Sequence, residues 1–133
     1  MRGGGVNPNI SFEDIFDALS VRLKQFGDMV TSNGGKFFPI IHPFLHCKKE
    51  WTKEEAWGFK LGSKIPTSLY SDQIPSLITR FLQMPHSHTI YNANDIFKDS
   101  KETLFKDFMH MNDKGAELLA SYLYSLIEQG GEV

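Results

Sequence analysis

The sequence predicts an α/β fold built on a parallel sheet. Two observations carry that prediction. Helical stretches with one apolar face alternate along the chain with short apolar runs of strand length. The 133 residues are 41% hydrophobic and 13% aromatic, with eleven Phe, which is enough for a real core. A helix between successive strands is what a parallel sheet needs.

The first helix starts at Ser11. Phe12, Ile15, Phe16, Leu19, Leu23, Phe26 and Val30 recur at i, i+3, i+4, i+7 and define one face. Ser11 caps it, with Asp14 three residues on as the return partner of a capping box. Asn33-Gly34-Gly35 stops it, since glycine takes the left-handed conformation without penalty. Lys36 to His42 (KFFPIIH) then reads as a buried strand, although Pro39 removes one ladder donor.

The stretch 43–85 reads as an irregular helical insertion. Thr52-Lys53-Glu54-Glu55 is a capping box opening a short helix that carries Trp57. Lys48, Lys49, Lys53, Glu50, Glu54 and Glu55 alternate in sign and read as a solvated face. A further helix spans about Asp72 to Gln83, with Pro75 in its first turn. Its apolar face is Ile74, Leu77, Ile78, Phe81 and Leu82. His88 to Asn92 is the second strand, and Asp95 to Asp107 is mostly loop. The last helix runs from about Asn112 to Gln129, with Asn112 as cap and Ala116, Leu119, Ala120, Leu123, Leu126 and Ile127 as its stripe.

Composition excludes several classes. Fourteen basic residues against sixteen acidic ones leave a net charge of −2, so no bulk basic field exists to hold nucleic acid. No apolar run approaches the roughly 20 residues of a membrane helix. Met1-Arg2-Gly3-Gly4-Gly5 is not a secretory signal, because no apolar stretch follows it. The compartment is left open, with the cytoplasm as default. The single cysteine, Cys47, rules out an internal disulfide and a multi-cysteine zinc site. His42, His46, His86 and His88 show no convergent ligand spacing, so no metal is expected.

Chemistry concentrates in Asp107-Phe108-Met109-His110-Met111-Asn112-Asp113-Lys114-Gly115, just before the last helix. A carboxylate three residues from a histidine can accept from Nδ1 and fix the tautomer. Nε2 is then free to take a proton from a nucleophile. The plainer alternative is a turn aspartate and a surface histidine.

The pattern D-x-x-H-x-N-x-x-G followed by an Ala- and Leu-rich helix resembles the last block of the SGNH (GDSL-type) hydrolases. HTIYNANDIF is similar to that family's last strand and following turn, and KFFPIIHPFLHCKKEWTKEE to an earlier strand and Pro-containing loop. Gly5-Val6-Asn7 matches the G-x-N of its third block, with Pro8 where the family has Asp. The resemblance covers about Gly3 to Gln129.

It implies a three-layer α/β/α fold of flavodoxin-like type, incomplete at its N-terminal side. Residues 1–133 would form one partial domain, with 43–85 as a lid-like insertion. It implies serine ester hydrolysis without a cofactor, with Asp107 and His110 as the acid–base pair and Asn7 as oxyanion donor. His42 and His46 would line the loop beside the site and touch the substrate. Trp51, Trp57, Phe59 and Tyr70 would form an acyl-pocket wall or, as readily, a small satellite core. Substrates in the family are esters, including O-acylated sugars and lipids.

The block that would carry the serine has no counterpart. Neither Gly-Asp-Ser nor G-x-S-x-G occurs in these residues. A base without its nucleophile cannot run acyl transfer, so the chain is expected to be inactive alone. The alternative is a non-catalytic module that associates with a partner or binds a ligand. A sheet lacking its first strands would expose an edge and self-associate.

Overall fold

The computed structural model describes residues 11–62 and 71–130. Helix α1 spans Phe12–Ser32. Ser11 Oγ accepts from Asp14 N, and Asp14 returns a carboxylate to Ser11 N, each at 3.2 Å. Gly34 ends the helix with φ 83°, beyond the reach of most side chains. The expected strand at Lys36–His42 contracts to β1, Ile40–Ile41. Pro39 precedes it, buried, and its carbonyl takes the N–H of Tyr91 at 2.9 Å.

A 3-10 turn at Leu45–Cys47 follows, then α2 at Lys53–Gly62 and α3 at Ile74–Gln83, with Pro75 in the first turn of α3. The capping box of α2 forms as its spacing requires. Thr52 N donates to Glu55 Oε1 at 3.0 Å, and Glu55 N donates to Thr52 Oγ1 at 3.2 Å. Strand β2 is Tyr91–Asn92, and α4 is Asp113–Glu128.

β1 and β2 pair in parallel, Ile40 opposite Tyr91 and Ile41 opposite Asn92. The described residues are thus mainly helical, four α-helices with a small two-stranded parallel sheet, an arrangement compatible with α/β. Asn94 stitches the two strand exits together. Its Oδ1 accepts from Phe44 N at 2.7 Å, and its Nδ2 donates to His42 O at 3.0 Å.

The core is Leu45, Phe97, Leu104 and Phe105, with Trp51, Phe59, Met111, Leu118 and Leu119 packed on it. Each fully buried Leu or Phe contributes about 1.5–3 kcal/mol. It joins the turn after β1, the segment after β2, α2 and the start of α4. A second contact lies between α1 and α3, where Phe16 meets Phe81 edge-on at 5.4 Å. Ser20 Oγ bonds His86 Nδ1 at 2.9 Å beside it, while His86 Nε2 donates to Phe81 O at 2.7 Å.

One expectation is corrected, that of the charged run, and the face of α1 adds an observation. The apolar stripe of α1 is only partly covered: Phe16 and Leu23 are half-buried, whereas Phe12, Ile15, Leu19 and Phe26 are exposed. The packing available from two short strands and α3 is narrower than the stripe. The charged run 48–55 is not uniformly solvated either. Lys48 is 4% and Glu55 0% exposed, because their side chains meet beneath the backbone of residues 102–105 and bond to it. Among the described residues no helix is long and apolar enough to cross a membrane.

Candidate active site

Asp107 and His110 sit at the tip of a tight loop between the core and α4. Lys106 N donates to His110 O at 2.7 Å and Asn112 N to Leu104 O at 2.9 Å, so the two arms run antiparallel with Phe105 bridged to Met111. The tip closes on Asp107, whose Oδ1 accepts from Met109 N at 3.0 Å and His110 N at 2.8 Å. This is an Asx-type turn, so Asp107 does serve as a turn residue.

It also does more. Nδ1 of His110 lies 3.0 Å from Oδ1 and 2.9 Å from Oδ2 of the same carboxylate. Nδ1–H donating to Asp107 leaves the lone pair on Nε2. The His110 side chain is 69% exposed, and no hydrogen bond among the described residues occupies its Nε2. Partial burial raises the Asp107 carboxyl; the N–H groups of Met109 and His110 and the His110 ring outweigh it. The net result holds it below its ordinary 3.8.

The loop arrives at this place through five contacts. Leu45 N, just past the exit of β1, donates to Phe108 O at 2.9 Å. That exit is the carboxyl end of a parallel strand, where α/β folds assemble their sites. Gly58 of α2 lies against the carbonyl of Lys106, so closely that a Cβ would overlap it. Gly115 of α4 packs on Leu104 O. Asn112 caps α4 through Gly115 N at 2.9 Å and ties Thr103 O through Nδ2 at 2.8 Å. Sequence reasoning found the cap; the second bond depends on a loop carbonyl whose position only the fold supplies.

The other expected site residues are placed elsewhere or not described. Asn7 and Tyr70 lie outside the described residues. His42 is exposed; its Nδ1 donates to Pro43 O at 2.6 Å and its ring meets Phe44. His46 packs edge-on against Trp51 at 4.8 Å and Phe59 at 5.0 Å. Among the described residues its buried Nδ1 has no hydrogen-bond partner, and burial lowers its basicity against the opposing charge of Asp72. No hydrogen bond or ring contact among the described residues joins His42 or His46 to Asp107 or His110. Trp51 and Phe59 belong to the core, while Trp57 stands exposed beside Gly58.

A cleft of ≈ 360 Å³ opens beside the 3-10 turn, lined by His46, Cys47, Lys49, Asn92, Asn94 and Lys98. Asp107 and His110 do not line it. Burial, with the charge of Asp95, pushes the Cys47 thiol up to about 11, which disfavours its thiolate. A second Asp–His contact, Asp28 with His88 Nε2 at 2.9 Å, is wedged between Gly27 and Phe37 and ties α1 to the segment before β2. Among the described residues no three His, Cys, Asp or Glu side chains converge as a metal site requires.

No family model matches the chain, and no curated protein matches it.

Proposed function

We propose that this chain supplies the acid–base half of a serine ester hydrolase of the SGNH type. The observation that carries the reading is the Asp107 carboxylate, 2.9 and 3.0 Å from His110 Nδ1, with the imidazole turned out to solvent. An oriented base whose second nitrogen is open is what a nucleophile requires.

In this reading His110 Nε2 takes the proton of a serine hydroxyl as its oxygen attacks the ester carbonyl. His110 then gives that proton to the departing alcohol, and water releases the acyl group by the same route. Asp107 holds the tautomer and stabilises the imidazolium. Asn7 donates to the oxyanion; losing one such donor costs about 10²- to 10³-fold. The serine comes from residues beyond these 133, on the same or another polypeptide. The two-stranded sheet is then one edge of a wider three-layer α/β/α sheet. The uncovered side of α1 and the apolar groove of Leu23, Phe26, Phe37, Pro39 and Ile40 beside β1 support this, because both are left for something to cover.

The test is complementation. Mixed with a polypeptide carrying the Gly-Asp-Ser part of such an esterase, the chain hydrolyses p-nitrophenyl acetate, and His110→Ala abolishes the gain. Equal rates with wild type and His110→Ala would overturn the assignment.

The absent Gly-Asp-Ser favours a second reading, a non-catalytic module that associates through the same uncovered surface. It predicts association by light scattering with no hydrolysis in any mixture.

A further inference from the structure

The mechanism above leaves one buried pair of charges unused. Lys48 Nζ lies 2.6 Å from Glu55 Oε1, and both side chains are fully buried. Among the described residues, every outward bond of these two side chains but one leads to the segment that enters the Asp107–His110 loop. Lys48 Nζ also donates to Glu102 O at 2.6 Å. Glu55 Oε2 accepts from Leu104 N at 2.9 Å and from Phe105 N at 3.2 Å. The exception is Thr52 N on Oε1, the capping bond of α2. Thr103, between these anchors, bonds Thr52 Oγ1 at 2.7 Å.

A buried ion pair is weak evidence for stability, since apolar residues of equal volume often do as well. Its distinctive property is directional: a carboxylate accepting two consecutive N–H groups fixes the orientation of that backbone. Phe105 is bridged to Met111, and Lys106 N bonds His110 O, so the orientation of 104–105 sets the arm on which His110 returns.

We propose that Lys48 and Glu55 are the positioning residues of the Asp107–His110 dyad, aligning the loop backbone from beneath while touching neither substrate nor reacting atoms. The inference rests on the reading of that dyad as an acid–base pair. Its test needs no substrate and no serine, so it separates from a failure of the hydrolase reading.

The conservative variant is Glu55→Gln, which keeps the volume and one acceptor but sets an NH₂ group against either the two N–H groups or Lys48. Ring ¹⁵N shifts of His110 and the carboxyl titration of Asp107 are followed by NMR on the intact chain. The expected result is a native far-UV spectrum with loss of the Nδ1–H tautomer and an Asp107 titration that rises toward its ordinary value. Lys48→Met is the second variant. It frees Glu102 O but keeps Glu55 on Leu104 and Phe105, and a smaller change in the same direction is expected. If Glu55→Gln does not fold, Lys48→Met decides alone. Variants that melt earlier but keep the wild-type His110 tautomer and Asp107 titration would overturn the proposal, because the pair would then be structural only.

Discussion

Gly58 lies mid-helix in α2, and replacing it by alanine sets two effects of opposite sign against each other. Helix propensity alone favours Gly58→Ala by about 0.8–1 kcal/mol. The packing opposes it. An added Cβ would fall 2.9 Å from the carbonyl carbon of Lys106 and nearer still to its oxygen, where real Cβ contacts essentially never occur. The neighbour is backbone, so α2 or the loop must retreat by about 1 Å. Overpacking of this kind costs about 1–3 kcal/mol, so the variant is expected to be net destabilised by up to roughly 2 kcal/mol. The loop that moves carries Asp107, and a 1 Å misplacement can cost about 10²-fold in a positioned reaction. Urea unfolding measures the first effect, and the complemented esterase assay the second. A Gly58→Ala chain that gains the stability expected from propensity would refute the close approach of α2 to Lys106.

Three further outcomes follow from the same structure. Asn112→Ala loses both its cap on Gly115 and its bond to Thr103, and is expected to cost at least the roughly 1 kcal/mol typical of a lost N-cap, read as a lower urea midpoint at unchanged slope. Cys47 is expected to alkylate at pH 8 at least roughly tenfold more slowly than free cysteine, its scarcer thiolate being only partly offset by greater nucleophilicity. The Asp107 carboxyl is depressed in the folded state, so its contribution is fully present above the ordinary 3.8 and is lost as pH falls through the lower folded value. Asp107→Asn is therefore expected to flatten that part of the stability–pH curve below pH 4, and an unchanged curve would contradict the depressed value.

What could be read from the sequence was what depends on neighbours three or four residues away. Ser11 with Asp14, Thr52 with Glu55, and Asn112 with Gly115 all form as their spacing dictates. The Asp107–His110 contact has the same span. Long-range placement was not legible. The alternating charges of 48–55 look identical whether a face is wet or roofed by another segment, so the burial of Lys48 and Glu55 was missed. His46 follows Phe44 and Leu45 in the sequence, yet nothing local shows that Trp51 and Phe59 enclose its ring. The strands shortened for a related reason. Hydrophobic content marks the run Lys36–His42, but ladder length depends on the partner, and pairing spans only two residues on each side.

The separation along the chain of the contacts around Asp107 and His110 also sets the order in which they can form. The first encounter of Asp107 with His110 spans three residues and depends on little else, although holding the pair in place depends on the frame beneath it. Its frame does not share that independence. Glu55 reaches Leu104 across 49 residues, and Asn94 reaches Phe44 across 50. Closing such long loops carries an entropy cost that local turns avoid, so these bonds are expected to form late in folding. Before that frame closes, the aspartate and histidine can meet only transiently, since nothing yet aligns the backbone that carries them. The closing of the frame around residues 102–105, and not the pairing itself, then marks the arrival of the native site.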